Sequence, residues 1–169
     1  MFHALSRIEA PKPDLYSALA LELGALLAGE RDPVANAANT AALLWYGLPD
    51  LNWAGFYFLR DGELVLGPFQ GKPACVRIAL GRGVCGTAAV RGAPVLVPDV
   101  ALFPGHIACD VLSRSELVVP LRRDGRVVGV LDLDSPLRGR FDADDQAGVE
   151  RIAAIWCDAS NPHENPMAK

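Results

Sequence analysis

Hydrophobic residues follow a helical period near both ends of the chain and a period of two between them. Residues 14–29 carry leucines at helical spacing in a stripe wide enough for two surfaces: Leu15, Leu19, Leu21, Leu23, Leu26 and Leu27. This width favours a helix that packs on its own domain and also forms a homodimer contact, although a deeply buried helix has the same pattern.

A second helix is predicted to begin at Asp32 as N-cap with Pro33 in its first position. Its buried face is predicted to hold Val34, Ala38, Ala41 and Trp45.

From Trp53 onward the alternation indicates strands. "NWAGFYFL" and "LVLGPF" flank one Asp-Gly turn, and "ELVVPLRR" and "RVVGVLDLDS" flank another, which predicts two antiparallel hairpins. "CVRIAL" and "PVLVPDV" add two strands around a short helix in "GRGVCGTAAVRG". We therefore expect an α+β fold: a six-stranded, largely antiparallel sheet with the terminal helices on one face and a ligand pocket on the other. The predicted boundaries are one domain over 1–169, with helices in 13–48, sheet and pocket in 52–135, and a C-terminal helix in 142–159.

Composition narrows the classes of function. The chain has 169 residues, of which 51% are hydrophobic, as expected for one folded domain. Its formal charge of -4 argues against the basic surface that nucleic-acid binding needs. The sequence contains no apolar run typical of a signal peptide or a membrane span, so we expect a cytoplasmic protein with no membrane partner.

The expected cytoplasmic location affects the interpretation of the cysteines, because thiols there are kept reduced and disulfides tend to be transient. The chain has four: Cys75, Cys85, Cys109 and Cys157. No CxxC motif occurs, and the only close His/Cys pair is His106 with Cys109, so a zinc site is a weak interpretation and no metal is expected. Cys157, beside Trp156 on an apolar helix, is expected to be an inert packing residue.

Acidic residues interrupt the last predicted strand. Alternation places Val128, Val130, Asp132 and Asp134 on one face, and Val127, Leu131 and Leu133 on the other. A three-residue loop over 123–125, with Gly125 as the bulge residue, would set Glu116 opposite Asp132. Three acids would then share a partly apolar patch, where crowding and desolvation raise a carboxyl pKa. Alternatively, these acids are solvated strand ends.

Four segments together resemble the free methionine-(R)-sulfoxide reductases, enzymes of the GAF-domain fold: "NWAGFYFL", "LGPFQGKPACVRIALGRGVCGTAA", "FPGHIACDVLSRSELVVPL" and "GVLDLDSPLRGRFDADD". The resemblance covers roughly residues 50–155. It implies reduction of the free R epimer of methionine sulfoxide, a role in oxidative stress repair, with thioredoxin and NADPH supplying reducing equivalents and no bound cofactor. The fold alone leaves a second interpretation, a non-catalytic module that senses a small ligand. A zinc-holding structural protein is a third.

The resemblance also implies residue roles. Cys109 is the attacking residue, Cys75 forms a disulfide with it, and Cys85 is the family's third cysteine. Because Cys85 lies near a predicted helix N-terminus, which favours a thiolate, physical reasoning leaves Cys109 and Cys85 both open as the nucleophile. The resemblance assigns substrate binding and sulfoxide activation to Glu116, Asp132 and Asp134, with Glu116 and Asp134 as catalytic candidates.

Other candidates come from the residues themselves. Trp53 and Tyr57 share one face of the first strand, where they form either an apolar wall for the S-methyl group or ordinary sheet core. Backbone N–H groups over 83–86 are candidates to hold the substrate carboxylate, with Arg82 and Arg77 as weaker ones.

Overall fold

The computed structural model describes residues 10–107 and 110–160. In this part of the chain, antiparallel pairing joins six strands into one sheet: β1 (Trp53–Arg60), β2 (Glu63–Gly71), β3 (Arg77–Ala79), β4 (Val95–Val97), β5 (Ser115–Arg123) and β6 (Arg126–Ser135). The spatial order is β3-β2-β1-β6-β5-β4, so the two longest hairpins meet at the β1/β6 pair in the middle of the sheet. The predicted α+β fold is confirmed.

Helices cover the two faces of the sheet unequally. The described helices are α1 (Lys12–Leu26), α2 (Pro33–Gly47), α3 (Gly83–Arg91) and α4 (Ala143–Ala159). Side chains from α1, α2 and α4 form a helix-side core with Phe56, Leu117 and Leu131 from the sheet. Helix α3 packs on the opposite face, where its side chains form a pocket-side core with Trp53 and Tyr57. This division gives the predicted arrangement, with the terminal helices on one face and the pocket on the other.

Helix α1 buries a narrower stripe than its leucines predict. Leu15, Leu19 and Leu23 lie in the helix-side core, and Leu27 follows them just beyond the helix. Leu21 is 75% exposed, so it does not widen the stripe that packs on this domain. Whether a second copy of the chain covers it stays a prediction.

Helix α2 begins as predicted, because the Asp32 side chain accepts hydrogen bonds of 2.8 Å from the backbone N–H groups of Val34 and Ala35. Its predicted buried face is only partly correct: Ala41 is buried and Trp45 packs against the helix-side core, but Val34 is 42% exposed and Ala38 is exposed too. The buried face also contains two polar residues, Asn36 and Thr40, together with Ala37, Leu43 and Leu44.

Those polar residues can be buried because each finds a hydrogen-bond partner inside the fold. The Thr40 hydroxyl donates to the Asn36 carbonyl at 2.7 Å, and Asn36 Nδ2 donates to Ser160 Oγ at 3.1 Å. A hydrophobic period cannot reveal a helix face that is held partly by hydrogen bonds.

One buried carboxylate fastens α4 to α1. The fully buried Asp145 side chain accepts hydrogen bonds from Tyr16 Oη at 3.0 Å, Lys12 Nζ at 2.5 Å and Arg140 Nη1 at 2.9 Å. We call these four residues the Asp145 cluster. It holds the N-terminus of α4 against α1 on the side of the sheet away from the pocket, leaving the pocket face free.

Two predictions concern the limits of the chain. Among the described residues, no helix combines the length and the apolar character needed to cross a bilayer. The single-domain boundaries, 1–169, stay a prediction because the ends of the chain lie outside the described residues.

Candidate active site

The β5/β6 hairpin determines which acids face the pocket. Its turn contains two residues, Asp124 and Gly125, with φ of 49° and 75°, and Arg123 pairs with Arg126. Positive φ at both central residues is typical of the type I′ turn that Asp-Gly favours. The predicted three-residue loop over 123–125 is therefore wrong.

A β-bulge in β6 changes the register beyond this turn. Arg122 pairs with Val127 but Leu121 pairs with Gly129, so Val128 is an extra residue. The predicted faces of the two valines are consequently reversed: Val127 packs on the pocket-side core and Val128 on the helix-side core. From Leu121 onward the pairing is shifted by one residue relative to the turn.

This shift brings three carboxyl groups onto the pocket face. Glu116 lies opposite Asp134 rather than opposite Asp132 as predicted, and Asp132 lies opposite Val118. On the other side of β6, Asp134 pairs with Trp53 of β1. A row across three strands therefore runs Trp53, Asp134, Glu116, with Asp132 one position along the same face.

All three carboxyl groups are protonated more readily than ordinary acids. Glu116 and Asp132 are only 6% and 5% exposed. Burial is the main cause that raises the pKa of each group, and the neighbouring charges raise it further: Asp134 acts on Glu116, Glu116 on Asp132, and Asp132 on Asp134. The group can hold protons at a pH where exposed carboxyls have lost them.

Cys85 lies at the edge of this acidic group, in the first turn of α3. Its thiol donates a hydrogen bond to Asp132 Oδ2 at 3.3 Å. Burial raises the pKa of this thiol well above its ordinary value, and the charges of Asp132 and Glu116 raise it further. The expectation that the helix N-terminus favours a Cys85 thiolate is therefore wrong, because desolvation and two adjacent acids outweigh the helix dipole.

Stacked aromatic rings lie beside the acids on the same face of the sheet. Trp53 stacks on Phe69 with ring centroids 5.4 Å apart and on Tyr57 with centroids 5.8 Å apart. The Tyr57 hydroxyl donates to the Cys75 carbonyl at 3.0 Å, which holds the loop between β2 and β3 over the sheet. Apolar rings and carboxyl groups thus lie side by side in one cleft.

A loop between β4 and β5 closes a third side of the cleft. His106 Nε2 lies 3.4 Å from Glu116 Oε2. Burial lowers the pKa of His106, so this is a contact between a neutral imidazole and a carboxyl group that favours its protonated form. The loop is also held by an ion pair of 3.1 Å between Lys72 Nζ and Asp110 Oδ2.

The cleft is lined by residues from the sheet, α3 and both loops: Trp53, Tyr57, Lys72, Pro73, Ala74, Ile78, Arg82, Gly83, Val84, Cys85, His106, Ile107, Asp110, Ser113, Glu116, Asp132 and Asp134. Among the described residues, it combines apolar rings, a group of acids and the thiol of Cys85. This arrangement suits a small molecule with a cationic group and an apolar end.

Several known proteins are similar to this chain in sequence and in fold. The GAF-domain family profile matches residues 40–155. The chain is 52% identical over 143 residues to the free methionine-R-sulfoxide reductase of Escherichia coli (strain K12), covering 85% of this chain and 87% of that protein. The chain belongs to the free methionine-R-sulfoxide reductases of the GAF-domain family.

Two further members of the family match at similar coverage. The Saccharomyces cerevisiae free methionine-R-sulfoxide reductase is 42% identical over 152 residues, covering 85% of this chain and 84% of that protein. The X-ray structure of the Neisseria meningitidis free methionine-R-sulfoxide reductase, in complex with its substrate, superposes with a TM-score of 0.89 at 46% identity. It covers 94% of this chain and 95% of that chain.

Not every residue that the family resemblance singles out can be located. Cys109 lies outside the described residues. Cys75 lies in the loop before β3 rather than on the strand as the sequence suggested, because β3 begins at Arg77. The predicted Cys75–Cys109 disulfide stays a prediction.

Only some of the groups predicted to bind the substrate carboxylate lie in the cleft. Arg82 and Gly83 line the cleft, whereas Arg77 is exposed, forms an ion pair with Glu63, and is absent from the described lining. The Gly86 N–H donates to the Arg82 carbonyl at 3.0 Å, so only the amides before it in this turn remain candidates. The roles predicted for the acids, Trp53 and Tyr57 stay predictions, although all of these residues line the cleft.

Sequence reasoning missed the loop residues that frame the cleft. Lys72 and Asp110 are far apart in sequence and meet only in the fold, as do Asn52 and Ser113, whose Nδ2 and Oγ atoms are 3.0 Å apart. His106 was considered only as a zinc ligand, although its place in "FPGHIACD" put it near the reactive region. No local pattern marks such contacts.

Proposed function

We propose that this protein reduces free L-methionine-(R)-sulfoxide to L-methionine. The observation that carries the proposal is a cleft in which the rings of Trp53 and Tyr57 lie beside the carboxyl groups of Glu116, Asp132 and Asp134. Membership of the free methionine-R-sulfoxide reductases supports the same conclusion. The cleft matches the chemistry of the substrate, which has an ammonium group, a polar S=O group and an apolar S-methyl group.

Carboxyl groups in the cleft have two tasks in this proposal. The ammonium group of the substrate is bound by ionised carboxylate, which is stabilised in turn by the positive charge. The oxygen of the sulfoxide receives a proton from the Glu116/Asp134 pair, since two adjacent buried acids cannot readily both be ionised. Peptide-bound methionine sulfoxide lacks the free ammonium and is therefore expected to be a poor substrate.

The aromatic rings orient the other end of the substrate. Trp53 lies opposite Asp134 across the β1/β6 pairing, so its ring faces the space beside the acids. With Tyr57 it packs against the S-methyl group and excludes water from the reacting sulfur.

Electrons come from two cysteines. The Cys109 thiolate attacks the sulfoxide sulfur; the oxygen passes to Cys109, giving methionine and a cysteine sulfenic acid. The Cys75 thiol then attacks the sulfenic sulfur, releasing water and forming a disulfide. A dithiol reductant, thioredoxin supplied by NADPH, restores both thiols. These reaction steps need no bound cofactor or metal, and we propose that they take place in the cytoplasm.

The electrostatics of Cys85 argue for Cys109 as the nucleophile. A thiol that is buried among acids and has a raised pKa yields little thiolate near neutral pH. Cys85 instead donates a hydrogen bond to Asp132 and so positions that carboxyl group.

The decisive experiment compares three substrates and three variants. Turnover is followed as NADPH oxidation with thioredoxin and its reductase, using free methionine-R-sulfoxide, its S epimer and a peptide-bound form. We expect turnover of the free R epimer alone, loss of turnover in Cys109→Ser, and near-normal turnover in the matched control Cys157→Ser, which lies on α4 outside the cleft.

Each contrary result has a definite meaning. Binding of the free R epimer without turnover by the wild type would refute the enzyme proposal and favour a ligand-sensing module. Turnover retained in Cys109→Ser but lost in Cys85→Ser would transfer the nucleophilic role to Cys85.

A further inference from the structure

Cys85, Glu116 and Asp132 form a compact set of potential metal ligands. The Sγ atom and one oxygen from each carboxyl group all lie within 4.8 Å of one another, and all three residues are buried. Tetrahedral zinc sites have metal–ligand distances of about 2.0–2.3 Å, which puts neighbouring ligand atoms about 3.3–3.7 Å apart. The Cys85–Asp132 separation of 3.3 Å already lies in that range.

A second observation concerns the two oxygen atoms of Asp132. Asp132 is 5% exposed and lines the cleft. Its Oδ2 atom accepts from Cys85, but its buried Oδ1 atom has no hydrogen-bond partner in the part of the chain that the structure describes. A buried carboxyl oxygen without a donor is costly and is satisfied by a ligand that brings positive charge.

We propose that the reduced protein binds Zn²⁺, or a similar thiophilic divalent cation, through Cys85 Sγ, Glu116 and Asp132. A thiolate with two carboxylates favours zinc, cobalt or cadmium over Mg²⁺ and Ca²⁺, which prefer oxygen ligands alone. On binding, the Cys85 thiol and whichever of the Glu116 and Asp132 carboxyl groups is protonated release their protons to solvent, and the sulfur bonds to the metal as a thiolate. The dication offsets the burial of three negative groups.

His106 lies beside one of the three ligands, since its Nε2 atom is 3.4 Å from Glu116 Oε2. Three protein ligands with water in the fourth position match the coordination number of catalytic zinc sites.

The metal would inhibit rather than assist. It engages Glu116 and Asp132, the same carboxyl groups that the sulfoxide substrate needs, so metal and substrate exclude each other. Metal binding is independent of the proposed function, whereas inhibition rests on it.

Cobalt is the first probe, because Co²⁺ bound by a thiolate has a charge-transfer absorption in the near ultraviolet. The reduced, desalted wild type is titrated with CoCl₂ without oxygen, alongside single serine variants of the cysteines. We expect the band in the wild type, Cys75→Ser, Cys109→Ser and Cys157→Ser, and its loss in Cys85→Ser. A band that survives in Cys85→Ser and disappears in another cysteine variant overturns the proposal.

Two further measurements protect this test against a misfolded variant. Asp132→Asn keeps the thiol and should weaken Zn²⁺ binding by about tenfold or more, as measured by competition with a chelating dye. In the wild type, adding free methionine-R-sulfoxide or methionine should release the bound Co²⁺ and bleach the band. If a ligand that is shown to bind the metal-free protein does not release the metal, the metal lies elsewhere and the proposal fails.

Inhibition is measured in a single turnover, since added thiol reductants would themselves bind zinc. Pre-reduced protein forms methionine, which is quantified by chromatography with and without ZnCl₂. We expect zinc to raise the sulfoxide concentration that gives half the maximal rate, and a chelator to reverse this. Bound zinc with undiminished turnover would overturn the proposal, whereas bound zinc in a protein that shows no turnover even without metal would refute only the proposed function.

Discussion

The Asp132→Asn substitution tests whether burial makes the acids of the cleft costly to ionise. In the wild type, Asp132 is 5% exposed and burial raises its pKa. Asparagine has nearly the same shape, and its side-chain oxygen can still accept the Cys85 hydrogen bond. The substitution therefore removes the ionisation while keeping most of the packing.

The sign of the effect follows from the number of bound protons. Above the unfolded pKa of an aspartate, about 3.9, and below the raised native pKa, the folded wild type keeps a proton that the unfolded chain has lost. The free energy of unfolding therefore decreases as pH rises through this window, by about 1.4 kcal/mol per pH unit for one full proton. The variant lacks this slope, so it gains stability relative to the wild type as pH rises.

Neighbouring groups make the difference more informative than either curve alone. Burial lowers the pKa of His106, which gives a slope of the opposite sign, but His106 is present in both proteins and its contribution largely cancels in the difference. The Asp132 charge also raises the pKa of Asp134, so removing it lowers the cost of ionising Asp134. Both carboxyl groups therefore move the difference in the same direction.

The assay is urea denaturation of both proteins at intervals from about pH 5 to about pH 8, where proton linkage is measurable. The free energy of unfolding of Asp132→Asn minus that of the wild type should increase steadily with pH. A difference that stays constant across this range, or that decreases, would show that Asp132 ionises normally and would refute the electrostatic account of the cleft.

Two further predictions concern the helix-side core and are measured by urea denaturation. Asp145→Asn should lower the free energy of unfolding by about 3 kcal/mol, because it leaves the buried guanidinium of Arg140 without its carboxylate partner. The exposed control Asp144→Asn should change the free energy of unfolding by less than about 0.5 kcal/mol. Equal effects of the two substitutions would contradict this prediction. Gly148→Ala should destabilise by about 1–3 kcal/mol, because its new methyl group would overlap the ring of Tyr16. Gly24→Ala, with open space around it, should instead stabilise by up to about 1 kcal/mol, so stabilisation by both would refute the packing argument.

The elements were largely predictable because each carries a local signal. Asp-Gly turns flanked by alternating strands predicted both hairpins, and the Asp32-Pro33 pair predicted the start of α2. The face of α2 was not predictable in the same way, because Asn36 and Thr40 are buried through hydrogen bonds that depend on the fold. Hydrophobic periodicity detects burial of apolar groups only.

The chemistry of Cys85 was mispredicted because a single local rule was applied to a nonlocal environment. The helix N-terminus was visible in the sequence, and its effect on a thiol is real but modest. The opposing effect comes from Asp132 and Glu116, which are 47 and 31 positions away and meet Cys85 only after β5, β6 and α3 have packed. A pKa inside a protein is determined by burial and by such neighbours more than by the element that carries the group.

The acidic face itself depends on one residue that no sequence pattern identified. A two-residue turn pairs Arg123 with Arg126, and an unbroken ladder would then put Glu116 opposite Leu133, on the helix-side face. The extra residue at Val128 shifts the register by one, so Glu116 meets Asp134 on the pocket face instead. The sequence-based prediction placed Glu116 on the correct face for the wrong reason, because it assigned the extra residue to the turn rather than to β6. One extra residue in the hairpin, whether in the turn or in a strand, is enough to put Glu116 on the same face as Asp132 and Asp134.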